Sequence, residues 1–475
     1  MISFIISLGV LVAGYCIYGA VVDKVFGVDP TRKTPAETKA DGIDYVSLPW
    51  YKIFLIQLLN IAGLGPIFGA IMGALFGPAA FLWIVLGTIF AGGVHDYFSG
   101  MLSVRHGGSS ISEIVGIYLG DKIRMVMRVF SVVLLLLVGT VFMYGPAGLL
   151  ANLGLTGIFA HKQFWLLIIL AYYFIATVVP VDKVIGRLYP IFGAVLLIMA
   201  LGVGGALIFG RMPIPEIALK NLHPKGLSIW PMLFITIACG AISGFHATQS
   251  PIMARCLPNE KHGRKVFYGA MIGEGIIALI WAAAAMTFFD GGIIGLQAAI
   301  AEGGAGLVVN RVSIGLLGTV GGMLAILGVI VCPITSGDTA FRAARLAIAD
   351  SMKVNQSPVK NRLLVAIPLL AVGFSLTFID FSIIWRYFAW SNQTLATIVL
   401  WTAAAYLAVN KRFHWLSTIP ATFMTAVVTT YILQAPEGFR LSTSISYPIG
   451  LITAAVILGL FLFKFSKKTV VKTSA

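Results

Sequence analysis

Hydrophobic positions run along this chain in long blocks, and the polar residues between them carry almost all of the charge. Thirteen blocks approach the roughly 20 residues an α-helix needs to cross a bilayer. They lie near residues 2–22, 53–73, 79–103, 126–150, 163–180, 188–209, 229–250, 266–289, 312–335, 362–379, 382–409, 415–434 and 447–464. Two are interrupted alike: one at Ile61-Ala62-Gly63-Leu64-Gly65-Pro66, the other at Cys239-Gly240-Ala241-Ile242-Ser243-Gly244. A helix broken at membrane depth exposes backbone amides and carbonyls, which is tolerated only where they line a protein-buried cavity or bind something. Paired breaks in the two halves of a chain point to a transporter's central binding site.

Composition agrees. Of 475 residues, 59% are hydrophobic and 11% charged, against about half and a quarter in soluble domains. Met1-Ile2-Ser3 carries no basic stretch and the first block has no evident cleavage site, so it is expected to stay as a helix. The four cysteines, Cys16, Cys239, Cys256 and Cys332, are scattered without CxxC spacing and read as small buried apolar residues.

A net charge of +15 would suggest nucleic acid in a soluble protein; its placement excludes that here. Counted across thirteen spans, about 26 of the 33 basic residues fall in loops on one side and about six on the other. Lys183, Arg187, Lys467, Lys468 and Lys472 belong to the richer side. The rule that basic loops stay in the cytoplasm then predicts an outer N-terminus and a cytoplasmic C-terminus.

The same count gives the two broken segments opposite directions and sets each at the head of five helices. The fold expected is an all-α polytopic membrane protein with a 5+5 inverted repeat of the leucine-transporter type. It divides into an accessory helix (1–22), a first repeat (53–209), a second repeat (229–409) and two C-terminal helices (415–464), one integral membrane domain over 1–475. The loop from Asp23 to Lys52 is read as cytoplasmic, with a turn at Lys39-Ala40-Asp41-Gly42.

Polar residues concentrate after the second break, at Ser243, His246, Thr248, Gln249 and Ser250, before Pro251. Each costs several kcal/mol in hydrocarbon unless satisfied, so they either contact a solute or ion or satisfy the freed backbone. The candidate solute-binding residues are Gly63, Gly65, Pro66, Gly240, Ser243, Gly244, His246 and Gln249. His95-Asp96, placed toward the end of the third helix, is either a proton relay or a structural pair holding Arg105. Glu274, between Gly273 and Gly275 and about 12 Å into its helix at 1.5 Å per residue, is either a coupling-proton site or a structural hydrogen bond. Thr335, Ser336, Asp338 and Thr339 follow Cys332-Pro333 at what reads as a helix end. Hard oxygen donors suit a hard cation, so Thr335, Ser336 and Asp338 are candidate sodium ligands; the rival is an Asp338–Arg342 i,i+4 pair. Arg386 is expected inside the bundle or paired with Asp380. No phosphate loop, nucleophile elbow, HExxH or Cys/His metal cluster is present in the sequence pattern, so no enzyme and no cofactor are expected beyond a coupling sodium or proton.

The blocks IAGLGP (61–66), GGVHDY (92–97), SVRHGGSS (103–110), SGFHATQS (243–250), NEKHGR (259–264), YGAM (268–271) and SNQTLA (391–396) together resemble the carbon starvation protein A (CstA) family over most of the chain. The resemblance implies a transporter of the bacterial inner membrane, linked to the starvation response, to peptide uptake and to proton-coupled pyruvate symport. Better-known members carry a His-His pair before the first break; here Ile56-Gln57 stand there, and the chain is shorter. The expected function is secondary active import of pyruvate or short peptides by alternating access, driven by protons or sodium. The partners are a small solute and the lipid bilayer, not nucleic acid, and the oligomeric state is left open. A channel-like or nutrient-sensing protein on the same scaffold is the alternative.

Overall fold

The computed structural model describes residues 1–41, 45–178, 182–356 and 358–466, with backbone alone for 178, 182–190, 350, 351 and 466. Lys467, Lys468, Lys472 and Gly42 therefore lie outside the described residues, as do the side chains of Lys183 and Arg187. Among the described residues, ten helices are long and apolar enough to span a membrane, and the bent pair Trp50–Ile61 and Gly65–Phe76 makes an eleventh. The shorter apolar helix Lys162–Thr177 and the broken segment 229–254 account for the other two blocks.

The helices are numbered here as α1 (Ile2–Phe26), α2 (Trp50–Ile61), α3 (Gly65–Phe76), α4 (Ala79–Arg105), α5 (Asp121–Ala151), α6 (Lys162–Val178), α7 (Asp182–Phe209), α8 (229–236), α9 (Gly244–Ala254), α10 (Glu260–Phe288), α11 (Ile293–Met352), α12 (Val359–Leu376), α13 (Phe381–Val409), α14 (Trp415–Gln434) and α15 (Thr443–Ser466). The innermost are α4, α10 and α13, about four-fifths buried; α1 and α15 stay mostly exposed at the rim, as lipid-facing helices must.

The breaks have local causes. Helix α2 stops at Ile61; Pro66, with no N–H to give, is the second residue of α3, where the helix's first N–H groups have no intrahelical partner. The chain turns by 55° between them. In the second break, Ile237 to Ser243 leave helical geometry, and Gly240 takes a left-handed φ of +88°. A Cβ there would also lie 2.6 Å from that of Ala278, so glycine is required twice over.

Small residues let the innermost helices touch. Gly93 of α4 lies against the Tyr268 ring, and Gly275 of α10 against Thr88. Such contacts drive helix association where no hydrophobic effect operates between helices.

Three expectations need correction. The block 312–335 straddles a break: Gly303, Gly304 and Gly318 are non-helical within α11, and Gly322 folds back against Ile314. The run Thr335–Thr339 does not end a helix, because α11 continues to Met352; Pro333 sits inside it. Arg386 meets neither the bundle interior nor Asp380. It reaches Glu437 at 3.0 Å, while Asp380 caps α13 by accepting from the Ser382 N–H at 2.8 Å. The Ser382 hydroxyl and backbone hold the Asp380 carboxyl below its usual range.

Candidate functional site

The two breaks meet face to face. Gly65 packs directly on Cys239, and Gly240 lies over Pro66. Their backbone polar groups are met largely by side chains from other helices. Trp83 Nε1 donates to Ile237 O at 3.0 Å and Thr88 Oγ1 to Gly240 O at 2.8 Å, both from α4. From α13, Asn392 Oδ1 accepts from the Phe245 N–H at 2.7 Å, capping the start of α9, and its Nδ2 donates to Ser243 Oγ at 3.0 Å. Gln393 Nε2 donates to Phe234 O. Side chains of α4 and α13 thus satisfy the freed backbone, whereas Thr248 and Ser250, read as doing so, donate to Phe245 O and His246 O within α9. Trp83 and Thr88 carried no sequence signal, because neither is unusual in an apolar helix.

The first break is served by α11. Cys332 Sγ donates to Leu59 O and Ala62 O at 3.3 and 3.2 Å, and Ser336 Oγ to Leu59 O at 3.3 Å. Thr335 Oγ1 donates to Cys332 O at 2.8 Å. Two carbonyls at the end of α2, Leu59 and Ala62, therefore share one small region with the Cys332 thiol and the Ser336 hydroxyl of α11. Asp338 pairs with Arg342 at 3.5 Å, and Thr339 Oγ1 donates to Ser336 O at 2.9 Å within its own helix.

A buried charged chain crosses behind the second break. His95 Nδ1 and Asp96 Oδ1 are 2.7 Å apart, and Asp96 Oδ2 lies 2.8 Å from His246 Nδ1. His246 Nε2 lies 3.3 Å from Glu274 Oε2. All four side chains have zero exposure. Asp96 does not hold Arg105, which instead makes a bidentate contact to Glu260 at 3.1 and 3.0 Å. His95-Asp96 lies in the second half of α4, and α10 begins at Glu260, so Glu274 is at its middle, deeper than the roughly 12 Å counted from the sequence. His246, singled out for solute contact, faces two carboxylates. Gln249 Nε2 bonds to Thr248 Oγ1 at 3.0 Å. Gln57 donates to Ser250 Oγ at 3.2 Å and ties α2 to α9.

Two broken helices crossing at the centre of an all-α bundle define a transporter of the leucine-transporter fold. Solved structures of that fold superpose over nearly the whole chain. A manganese transporter of Eremococcus coleocola matches with a TM-score of 0.58 at 12% identity, covering 89% of this chain and 97% of its own. MhsT in complex with L-phenylalanine matches with a TM-score of 0.56 at 13% identity, covering 88% and 98%. These likenesses establish the fold alone.

The chain belongs to the family described as "Carbon starvation protein CstA", matched over residues 1–152, 147–302 and 291–431. An uncharacterized membrane protein of Haemophilus influenzae is 44% identical over 61% of this chain and 92% of its own length. The peptide transporter CstA of Campylobacter jejuni is 25% identical over 91% of this chain and 80% of its own. The pyruvate/proton symporter BtsT of Escherichia coli is 28% identical over 60% of this chain and about half (49%) of its own.

Proposed function

We propose that this protein is a secondary active transporter that imports a small carboxylate such as pyruvate, or a short peptide, across the bacterial cytoplasmic membrane, coupled to cation entry. The observation that carries this reading is the contact of the two breaks, with Cys332 and Ser336 of α11 on the carbonyls of Leu59 and Ala62. An anionic solute would meet the N-terminal ends of α3 and α9, whose partial positive charge favours carboxylates. Gly63, Gly65, Pro66, Gly240, Ser243 and Gly244 form its walls in this reading. Because the segments on either side of each break are separate rigid rods, they can tilt independently and open the site to each side in turn. The N-terminus lies outside and the C-terminus in the cytoplasm.

Sodium is the coupling ion that the donor set favours: carbonyl and hydroxyl oxygens suit a hard cation. Leu59 O, Ala62 O, Thr335 Oγ1 and Ser336 Oγ would turn their lone pairs to it. A proton is the second reading, favoured by the name of the Escherichia coli relative. Reconstituted vesicles given pyruvate, other small carboxylates and di- and tripeptides decide the matter under separately imposed sodium and proton gradients. Accumulation above the external level supports coupled import. Downhill flux without accumulation would instead indicate a channel, and no flux would end the transport reading. Ser336→Ala is expected to reduce the response to sodium at least tenfold; an unchanged response would remove the ion from this position.

A further inference from the structure

Cys239 lies within the second break, His246 just after it in α9, and Glu274 at the middle of α10. Their donor atoms (Sγ, an imidazole nitrogen and a carboxylate oxygen) lie within 4.8 Å of one another, and all three residues are buried. We propose that they form a binding site for a divalent transition-metal ion of the zinc class.

Geometry is the first support. Three atoms no more than 4.8 Å apart leave a point within about 2.8 Å of each, and zinc bonds to sulfur, nitrogen and oxygen are about 2.0–2.3 Å long. Small side-chain rotations close that gap without moving a helix.

Unspent donors are the second. His246 Nε2 and both oxygens of Glu274 are fully buried without a well-formed hydrogen bond, although His246 and the Gly240 N–H lie near the carboxylate. The 3.3 Å approach of Nε2 to Oε2 is close but poorly directed. Leaving several such groups unsatisfied at one spot is costly, and an ion between them would use them all.

The surroundings are the third. His246 turns its other ring nitrogen to Asp96 at 2.8 Å, and Asp96 is held in turn by His95 at 2.7 Å. A carboxylate behind a ligating imidazole fixes the ring and aims the free nitrogen at the metal. Asn392 Nδ2 points an N–H at the Cys239 sulfur from 3.4 Å, which suits a thiolate.

The donors also choose the metal. A thiolate, an imidazole and one carboxylate favour zinc and its borderline-soft neighbours over sodium, magnesium or calcium. On binding, Cys239 loses its S–H proton to solvent as the Sγ–metal bond forms. The ion would tie the break and the start of α9 to α10, clamping the segment from Gly240 to Ser243. This site is distinct from the oxygen donors at Leu59, Ala62 and Ser336, and it does not depend on which ion drives transport.

The test uses untagged, full-length protein in detergent, stripped with a chelator and titrated with Co²⁺ and then Zn²⁺. Wild type is expected to bind one Co²⁺ per chain with a thiolate-to-cobalt charge-transfer absorption that Zn²⁺ abolishes. Zn²⁺ should also raise its thermal midpoint. Cys239→Ser should remove the absorption, and His246→Gln and Glu274→Gln should each weaken Co²⁺ binding at least tenfold. Asp96→Asn, which among the three ligands touches only His246, should weaken it roughly tenfold to a hundredfold. No stoichiometric Co²⁺ binding by wild type, which needs no variant to fold, overturns the site. So does a thiolate band that survives in Cys239→Ser. Failure of the transport reading is separate: it shows as absent uptake in vesicles, whatever the metal content.

Discussion

At the residue scale, stability in this bundle rests on a few polar side chains that close open backbone. Asn392 serves three groups, the Phe245 N–H, Ser243 and Cys239. Asn392→Leu keeps the volume but strands a buried N–H, which costs about 1–3 kcal/mol. A lower thermal midpoint of the purified protein is expected, with the loss partly spared in Asn392→Asp, whose carboxylate oxygen can still accept from Phe245. The Arg105–Glu260 pair carries more. Glu260 is fully buried, and beyond Arg105 it accepts from the Asp29 N–H at 2.9 Å; Arg105 also donates to Tyr406 and Gly27 O at 2.6 Å. Glu260→Gln leaves the guanidinium uncompensated, and breaking such a pair typically costs about 3–5 kcal/mol. The expected outcome is poor recovery of folded protein by size-exclusion chromatography, whereas Glu302→Gln, in an exposed pair with Arg311, should be recovered normally.

The element scale shows glycine doing two different things. Gly304 (φ +71°, ψ −173°) and Gly318 (φ +68°, ψ −179°) interrupt α11 in a backbone region reserved almost entirely for glycine. Gly318→Ala is therefore expected to cost about 1–3 kcal/mol. Gly148 sits within α5 with open space where a Cβ would go, so Gly148→Ala should be neutral or stabilising by up to about 1 kcal/mol. Thermal denaturation of the two variants side by side checks the pair; equal effects would mean that the turn at Gly318 does not form.

At the scale of the whole molecule, the charge asymmetry predicts a topology that can be tested directly. Single cysteines placed in the loop around Asn221–Gly226 are expected to react with an impermeant thiol reagent added to intact cells. Those around Lys411–Phe413 should react only after the membrane is opened. The reverse pattern would invert the protein in the membrane.

The amount legible in advance varied with the distance over which the cause acts. The helices, the two breaks and the fold class follow from runs of apolar residues and from Gly63, Gly65, Pro66 and Gly240, because hydrophobicity and backbone freedom are properties of single positions. The family followed from short motifs in order. Arg386 went to Glu437 rather than Asp380 because its partner arrives from a loop 51 residues later, and Thr335–Ser336 was put at a helix end because Pro333, unlike Gly318, does not break α11.

The sequence by itself determined that this chain spans a membrane, that two of its helices break, and that unusual polar residues lie near those breaks. Only the tertiary structure decided which of those residues meet. His95 and Asp96 come from α4, His246 from α9 and Glu274 from α10, yet they form one buried chain, with Cys239 beside it. The physical reason is that a buried charge takes its partner from whichever helix packs against it. That packing is set by small residues such as Gly93 and Gly275 on distant segments, and no spacing along a single helix records it.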